Sequence, residues 1–291
     1  MKNFFKSNWI YILWCFIYFI ITWLTFGANL ISFGITAAVY ALSMLIALSP
    51  LGESILRLMN DVRTIDTKKE KEYLLPIFDE VYEQAKKFFP NLKNIKLFIV
   101  DAMYVNAFAI GWSTVAVTRG AVQTLSDEEL KGVIAHELGH IAKGHTIALL
   151  LTVVGNGIFT LIMIISQMIV NIMSFIIGVL SGNPFVRAML ILTRSLSGIS
   201  YIVLMYLIQA ILSINSRKNE FEADKFAYEI GYGENLVESL YVFHETSMNQ
   251  RMTLMEKLRA SHPHLAKRIA RLETMIDNEA DEHDNLIQSN E

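Results

Sequence analysis

Residues 133–145 read VIAHELGHIAKGH. Three histidines and a glutamate fall within ten positions, so the stretch is either the metal-binding face of a catalytic helix or a polar strip on an ordinary one. The residues before it settle its conformation. Ser126-Asp127-Glu128-Glu129 is a capping box with acidic residues in the first turn, which predicts a helix from about Asp127 through the quoted stretch. On that helix His136 and His140 stand one turn apart on one face, so both imidazoles can reach a single metal ion. Glu137 points ~100° further round, beside such an ion. This is the H-E-x-x-H arrangement of two zinc ligands and an adjacent general base. Chance yields roughly 0.01 such matches in a chain of this composition, and the competing reading is a solvated helix face.

A catalytic zinc needs a third protein ligand. His145 lies ~180° from His136 on a continuous helix and breaks the H-E-x-x-H-x-x-G-x-x-H spacing, so it is assigned to the surface or the membrane interface. NEFEADKFAYEIG (219–231) offers Glu220 and Asp224, again four apart on one helical face. One of these carboxylates can bind zinc while the other accepts the far N–H of a liganding histidine. The alternative is a charged strip shared with Glu222 and Lys225.

The rest of the chain belongs in a membrane. Of 291 residues, 53% are hydrophobic, 18% charged and five proline, too apolar for a soluble protein of this size. Ser7 to Gly52 carries no charge, and at ~1.5 Å per residue it makes roughly 69 Å of helix, enough for two crossings. Residues 1–50 are therefore expected to form a retained transmembrane hairpin turning at Gly27-Ala28-Asn29. Lys2 and Lys6 before it, and Arg57, Arg63, Lys68, Lys69 and Lys71 after it, place both flanks in the cytoplasm. The single cysteine, Cys15, allows no internal disulfide, and a net charge of −3 without clustered Lys or Arg leaves no footprint for nucleic acid.

Residues 51–145 form a cytoplasmic α+β region, with a helix over 72–89 and strand-like runs at 95–100, 106–111 and 113–118. A further uncharged region extends over 146–186 and another over 195–216. Zinc ligands at His140 and Glu220 must share one side of the bilayer, so the chain between them crosses an even number of times. This predicts crossings within about 147–170 and 195–214, with an apolar interfacial or tilted remainder ending near Gly182-Asn183-Pro184. Both ligand segments then lie within roughly 10–15 Å of the membrane surface. Residues 217–276 read as a cytoplasmic helical region with one helix near 234–248 and another over 262–276. The acidic tail, 277–291, reads as disordered. The expected fold is an integral membrane protein, mostly α-helical, with a small α+β zincin-type subdomain containing a short β-sheet.

VIAHELGHIAKGH, NEFEAD, NAFAIG and SHPHLAKRI, with apolar spans at the start and between the two metal-binding motifs, resemble the HtpX family of bacterial membrane-bound zinc metalloproteases. That family is related to the eukaryotic prenyl-protein endopeptidases. The resemblance runs over about residues 1–275. It implies one zinc per chain on His136, His140 and Glu220, Glu137 as general base, and Asp224 supporting a ligand. It further implies that Asn106, Ala107, Phe108 and Ala109 are an edge strand that binds the substrate backbone, and that His262 donates to the oxyanion. Arg268 falls on the family's arginine. Asn106–Ala109 also reads as an ordinary strand, and His262 as a residue before a proline-initiated helix. Where the family has His-Pro-Pro this chain has His264, which leaves open which histidine faces the site.

The function implied is an endopeptidase of the bacterial plasma membrane, multi-pass, with its site on the cytoplasmic side. It would cut cytoplasmic or juxtamembrane segments of misfolded or damaged membrane proteins and unfolded polypeptides. A membrane zinc transporter and a catalytically inactive scaffold are the competing classes. Lys131, Lys143 and the charged cap around the histidines argue against the first. A homo-oligomer is left open by the sequence.

Overall fold

The computed structural model describes residues 2–25, 28–186, 188–192, 218–248 and 265–288. It divides into two compact units, one of Met1–Trp9, Glu53–Leu150 and Asn215–Glu291, the other of Ile10–Gly52 and Leu151–Ile214.

The second unit is helical and turned inside out relative to a water-soluble core. Helix α1 (Lys2–Thr25) leads through Ala28 in the left-handed region (φ 51°) to α2 (Leu30–Ala47), whose capping box is Asn29 with Ser32. Ser32, Thr36, Ser43 and Ala47 form the buried stripe of α2, while Leu30, Ile31, Ile35, Leu42 and Leu45 face outward. A π-helical turn (Leu151–Gly155) opens into α8 (Asn156–Leu180), which also exposes large apolar side chains such as Leu161, Met168, Ile169 and Phe175. Small residues let helix backbones approach where lipid tails compete equally well for the large ones. The polar groups between the helices are paired: the Tyr40 hydroxyl lies 2.9 Å from both the Cys15 carbonyl and Asn156 Oδ1, and Tyr18 Oη lies 2.7 Å from Thr160 Oγ1. Among the described residues, Leu30–Ala47 is by itself long and apolar enough to cross a membrane, and Asn8–Leu24 and Asn171–Leu180 are shorter apolar stretches.

The first unit carries the sheet. After α3 (Pro50–Met59) come β1 (Val62–Thr64), α4 (Lys68–Phe88), β2 (Lys96–Val100), β3 (Ala107–Ile110) and β4 (Thr114–Thr118). The order is β1-β2-β4-β3, with β2 and β4 parallel and both outer pairs antiparallel. All five residues of β4 are buried, as expected for a central strand covered on both faces. Strand β3 is an edge, and Phe108 and Ala109 on it are only partly covered. Pro76 sits within α4 on its exposed side. Short α5 (Arg119–Thr124) leads to α6 (Asp127–Ala142), buried on nearly every side in its middle, which marks it as the central rod of this unit. Around it pack α4, a helix over 218–229 designated α9, and α10 (Gly233–Met248); α11 (Leu265–Gln288) packs in turn on α10.

One expectation is corrected. Residues 277–288 are not disordered, because α11 continues to Gln288, anchored where Tyr228 Oη lies 3.0 Å from the Met275 carbonyl and 2.5 Å from Glu279 Oε2. The apolar remainder after 170 is continuous with α8, whose last turns are 171–180, and the chain turns at Gly182 (φ 63°), near the expected end at Gly182-Asn183-Pro184. The expected return crossing, 195–214, lies outside the described residues.

Helices α6 and α10 touch at a glycine. A Cβ on Gly132 would come within 2.4 Å of the Asn235 carbonyl carbon and the Leu236 nitrogen, whereas a Cβ on Gly157 would meet nothing within 4 Å. Gly132→Ala is therefore expected to cost about 1–3 kcal/mol and lower the thermal midpoint in detergent. Gly157→Ala should leave the midpoint unchanged or raise it, since it removes only glycine's flexibility from a helix. Parallel thermal unfolding of the two variants checks this.

Candidate metal centre

The cap of α6 forms as the sequence predicts: Ser126 Oγ accepts from the Glu129 amide at 3.3 Å, and a Glu129 carboxylate oxygen accepts from the Ser126 amide at 2.7 Å. With the helix in register, His136 and His140 bring their Nε2 atoms to 3.1 Å from one another. The next step depends on Gly139, between them. A Cβ there would stand 3.0 Å from Phe226 Cβ and 3.1 Å from the Ala223 Cα, so α6 and α9 approach as closely as a hydrogen on Gly139 allows. Ala223 lies between Glu220 and Asp224, and the contact delivers both carboxylates to the histidines. Glu220 Oε2 is 3.4 Å from His136 Nε2, and Glu220 Oε1 is 3.5 Å from His140 Nε2. Asp224 Oδ1 takes the other side of His136, 2.9 Å from Nδ1.

Arg268, on α11, closes the cluster. Its Nη1 is 3.0 Å from Glu220 Oε2, and it donates to Asp224 through Nε at 2.9 Å and Nη2 at 2.5 Å. The bidentate fork fixes Asp224 in plane with the guanidinium, a geometry lysine could not supply. Glu137 is buried and places a carboxylate oxygen within 4.8 Å of a nitrogen on each histidine.

The donor set fits a divalent cation. A tetrahedral ion with bonds of ~2.0–2.2 Å has donor–donor edges of roughly 3.3–3.6 Å. The contacts made by Glu220 Oε2 and Oε1, 3.4 and 3.5 Å, fall in that range, and the Nε2–Nε2 separation of 3.1 Å lies just below it. Charge points the same way, since three buried carboxylates (Glu137, Glu220 and Asp224) face one guanidinium. The two histidines respond oppositely to this field. Burial pushes His136 down, as does the Arg268 charge, but its hydrogen bonds to Asp224 and Glu220 outweigh both and raise it to about 9. Burial holds His140 well below the ordinary imidazole value, against the pull of Glu220. Burial also opposes ionisation of Asp224, yet Arg268 and His136 keep its carboxyl below the usual range. Metal binding at His136 must therefore displace a proton that its carboxylate neighbours favour.

Residues 68–276 match peptidase family M48. The chain belongs to that family. Among curated relatives, this M48 chain is 31% identical over 168 residues to a protein named Protease HtpX from Pseudomonas syringae, a match covering 54% of this chain and 50% of that one. It is 29% identical over 267 residues to the Protease HtpX of Hahella chejuensis, covering 84% and 87%. Thus the chain spans about half the length of the first relative and most of the second. Among solved structures, S. mikatae Ste24p superposes with a TM-score of 0.50 at 20% identity, over 89% of this chain and 61% of that one, which is a likeness of fold.

Of the expected site residues, His136, Glu137, His140, Glu220, Asp224 and Arg268 come together in this M48 chain. Asn106 precedes β3 with its backbone held by Thr118, and Ala107, Phe108 and Ala109 lie on the edge strand, which packs beside α6. His262 and His264 lie outside the described residues. The expectation for His145 is overturned. Helix α6 does not run through it but ends at Ala142, where Gly144 adopts φ 75° and the amides of Lys143 and Gly144 bond back to the carbonyls of Gly139 and Ile141. Helix α7 (His145–Leu150) starts afresh, and His145 is buried with its Nδ1 3.1 Å from His140 Nδ1. Lys143-Gly144 was the available signal, a basic residue and a glycine where a helix stops. The Thr146 hydroxyl then donates to the Gly111 carbonyl at the end of β3, tying the strand to the new helix.

Because Arg268 neutralises two buried carboxylates, Arg268→Ala is expected to destabilise the metal-free protein by about 3–5 kcal/mol. A thermal or denaturant unfolding midpoint equal to that of the wild type would contradict this account of the cluster.

Proposed function

We propose that the chain is a zinc-dependent, multi-pass membrane endopeptidase with its site on the cytoplasmic side, cutting cytoplasmic or juxtamembrane segments of misfolded or damaged membrane proteins. The observation that carries the reading is the convergence of two imidazoles from α6 and one carboxylate from α9 at 3.1–3.5 Å, with Glu137 beside them. The relatives named Protease HtpX support the activity. The outward-facing apolar side chains of α2 and α8, and the basic residues that flank 7–52, support the membrane placement and its orientation.

His136, His140 and Glu220 would hold the zinc. Bound there, the ion supplies Lewis acidity that polarises a carbonyl and makes a water nucleophilic near neutral pH. Glu137 takes the proton of the attacking water and passes it to the leaving amine nitrogen. Asp224 accepts from His136 Nδ1 and so keeps Nε2 turned toward the ion. The free edge of β3 receives the substrate in extended form, pairing with its main chain. That mode reads backbone before side chain, and it suits unfolded segments, which alone can lie along a strand. His262, or its neighbour His264, is proposed as donor to the developing oxyanion. Support comes from Arg268, which reaches the cluster a few residues further along the chain.

Glu137→Gln removes the base while leaving every metal donor in place. It should retain one zinc per chain and an unchanged unfolding midpoint, yet lose cleavage of an unfolded model substrate by about 10²–10⁴-fold. Full turnover by that variant would refute the assignment.

A further inference from the structure

Each of the two histidines has a nitrogen directed away from Glu220, and each such nitrogen meets a different support. Behind His136 stand Asp224 and Arg268. Behind His140 stands a second, separate chain of contacts: His140 Nδ1 is 3.1 Å from His145 Nδ1, and His145 Nε2 is 3.1 Å from Glu222 Oε2. Glu222, only partly exposed, is in turn 3.4 Å from Lys218 Nζ through its other oxygen. We propose that His145 is a positioning residue for the metal site, holding His140 in the tautomer and ring orientation that direct Nε2 to the ion. This inference rests on the reading of His136, His140 and Glu220 as ligands.

The direction of each hydrogen bond follows from what the groups can do. An ionised carboxylate only accepts, so His145 Nε2 carries a hydrogen and donates to Glu222. In a neutral imidazole the other nitrogen then accepts, so His145 Nδ1 receives the hydrogen on His140 Nδ1. That leaves the lone pair of His140 on Nε2, the atom that faces His136 Nε2 and Glu220. His145 is not a fourth ligand, because its ring meets His140 on the side opposite the Nε2 cluster. The αL conformation of Gly144 makes the arrangement possible, since on a continuous helix His145 would lie on the far side of the rod from His136. Glu222 comes from the same short helix that supplies Glu220 and Asp224, so α9 furnishes one donor and the acidic end of both supports.

Three variants test the proposal in the full-length protein in detergent, with zinc affinity read by chelator competition and folding by unfolding of the metal-free form. His145→Leu keeps volume but offers no acceptor, and is expected to weaken zinc binding about 10–100-fold, the usual cost of losing a ligand's outer partner. In His145→Asn the side-chain oxygen can occupy the place of Nδ1 and accept from His140, so most of the affinity should return even though the link to Glu222 is lost. His140→Ala should abolish tight binding. If His145→Leu binds zinc like the wild type, or if Asn and Leu lose affinity alike while metal-free stabilities match, the positioning role is overturned with the ligand reading intact. If His140→Ala keeps the zinc, the ligand reading fails and this inference fails with it.

Discussion

Everything in the site follows from how closely α6 and α9 pass at Gly139. With only a hydrogen on that residue, the backbone of Ala223 comes within van der Waals range of the metal-motif helix, and the residues at either side of Ala223 are presented to His136 and His140. A Cβ at the crossing would require Ala223 and Phe226 to give by a few tenths of an ångström, which is comparable to the tolerance of a metal–donor distance. The same economy of volume recurs at Gly132 against α10. The central rod is thus approached closely on two faces at its glycines, while Leu130, Ile134 and Leu138 pack among the side chains of the surrounding helices.

Packing this tight brings buried charge, and the cluster answers it by pairing. Glu220 and Asp224 share Arg268, and Asp224 also engages His136. Such groups are costly to bury and persist only when each has a geometric partner. Their arrangement leaves more carboxylates than cationic groups around the two histidines, a field that favours a cation. The two histidines behave oppositely, His136 raised by its hydrogen bonds to Asp224 and Glu220 and His140 lowered by burial.

The helical unit obeys another solvent. Beside a buried Trp14–Tyr18 cluster, its interior holds small and hydrogen-bonded residues, and its exposed surfaces are rich in Leu, Ile, Met and Phe, a distribution that water would penalise and hydrocarbon would not. The Tyr40–Asn156 and Tyr18–Thr160 contacts satisfy the polar groups that lie between these helices.

Local pattern in the sequence determined the rods and ribbons of this protein. The Ser126 cap and the four-residue spacings of His136 with His140 and Glu220 with Asp224 specify faces of helices, the apolar runs near 95–118 specify strands, and the uncharged 7–52 specifies the helical hairpin. These are properties of a few consecutive residues, so they could be read without a fold. Tertiary structure alone decided which faces meet. It made β3 an edge, placed Arg268 across both carboxylates, carried α11 on to Gln288, and turned His145 back against His140. The last was misjudged because a helical projection assumes a straight helix, and one glycine in the left-handed region is enough to cancel it. Periodicity encodes direction around an axis, whereas a metal site is a matter of distances between axes, and those are set by packing.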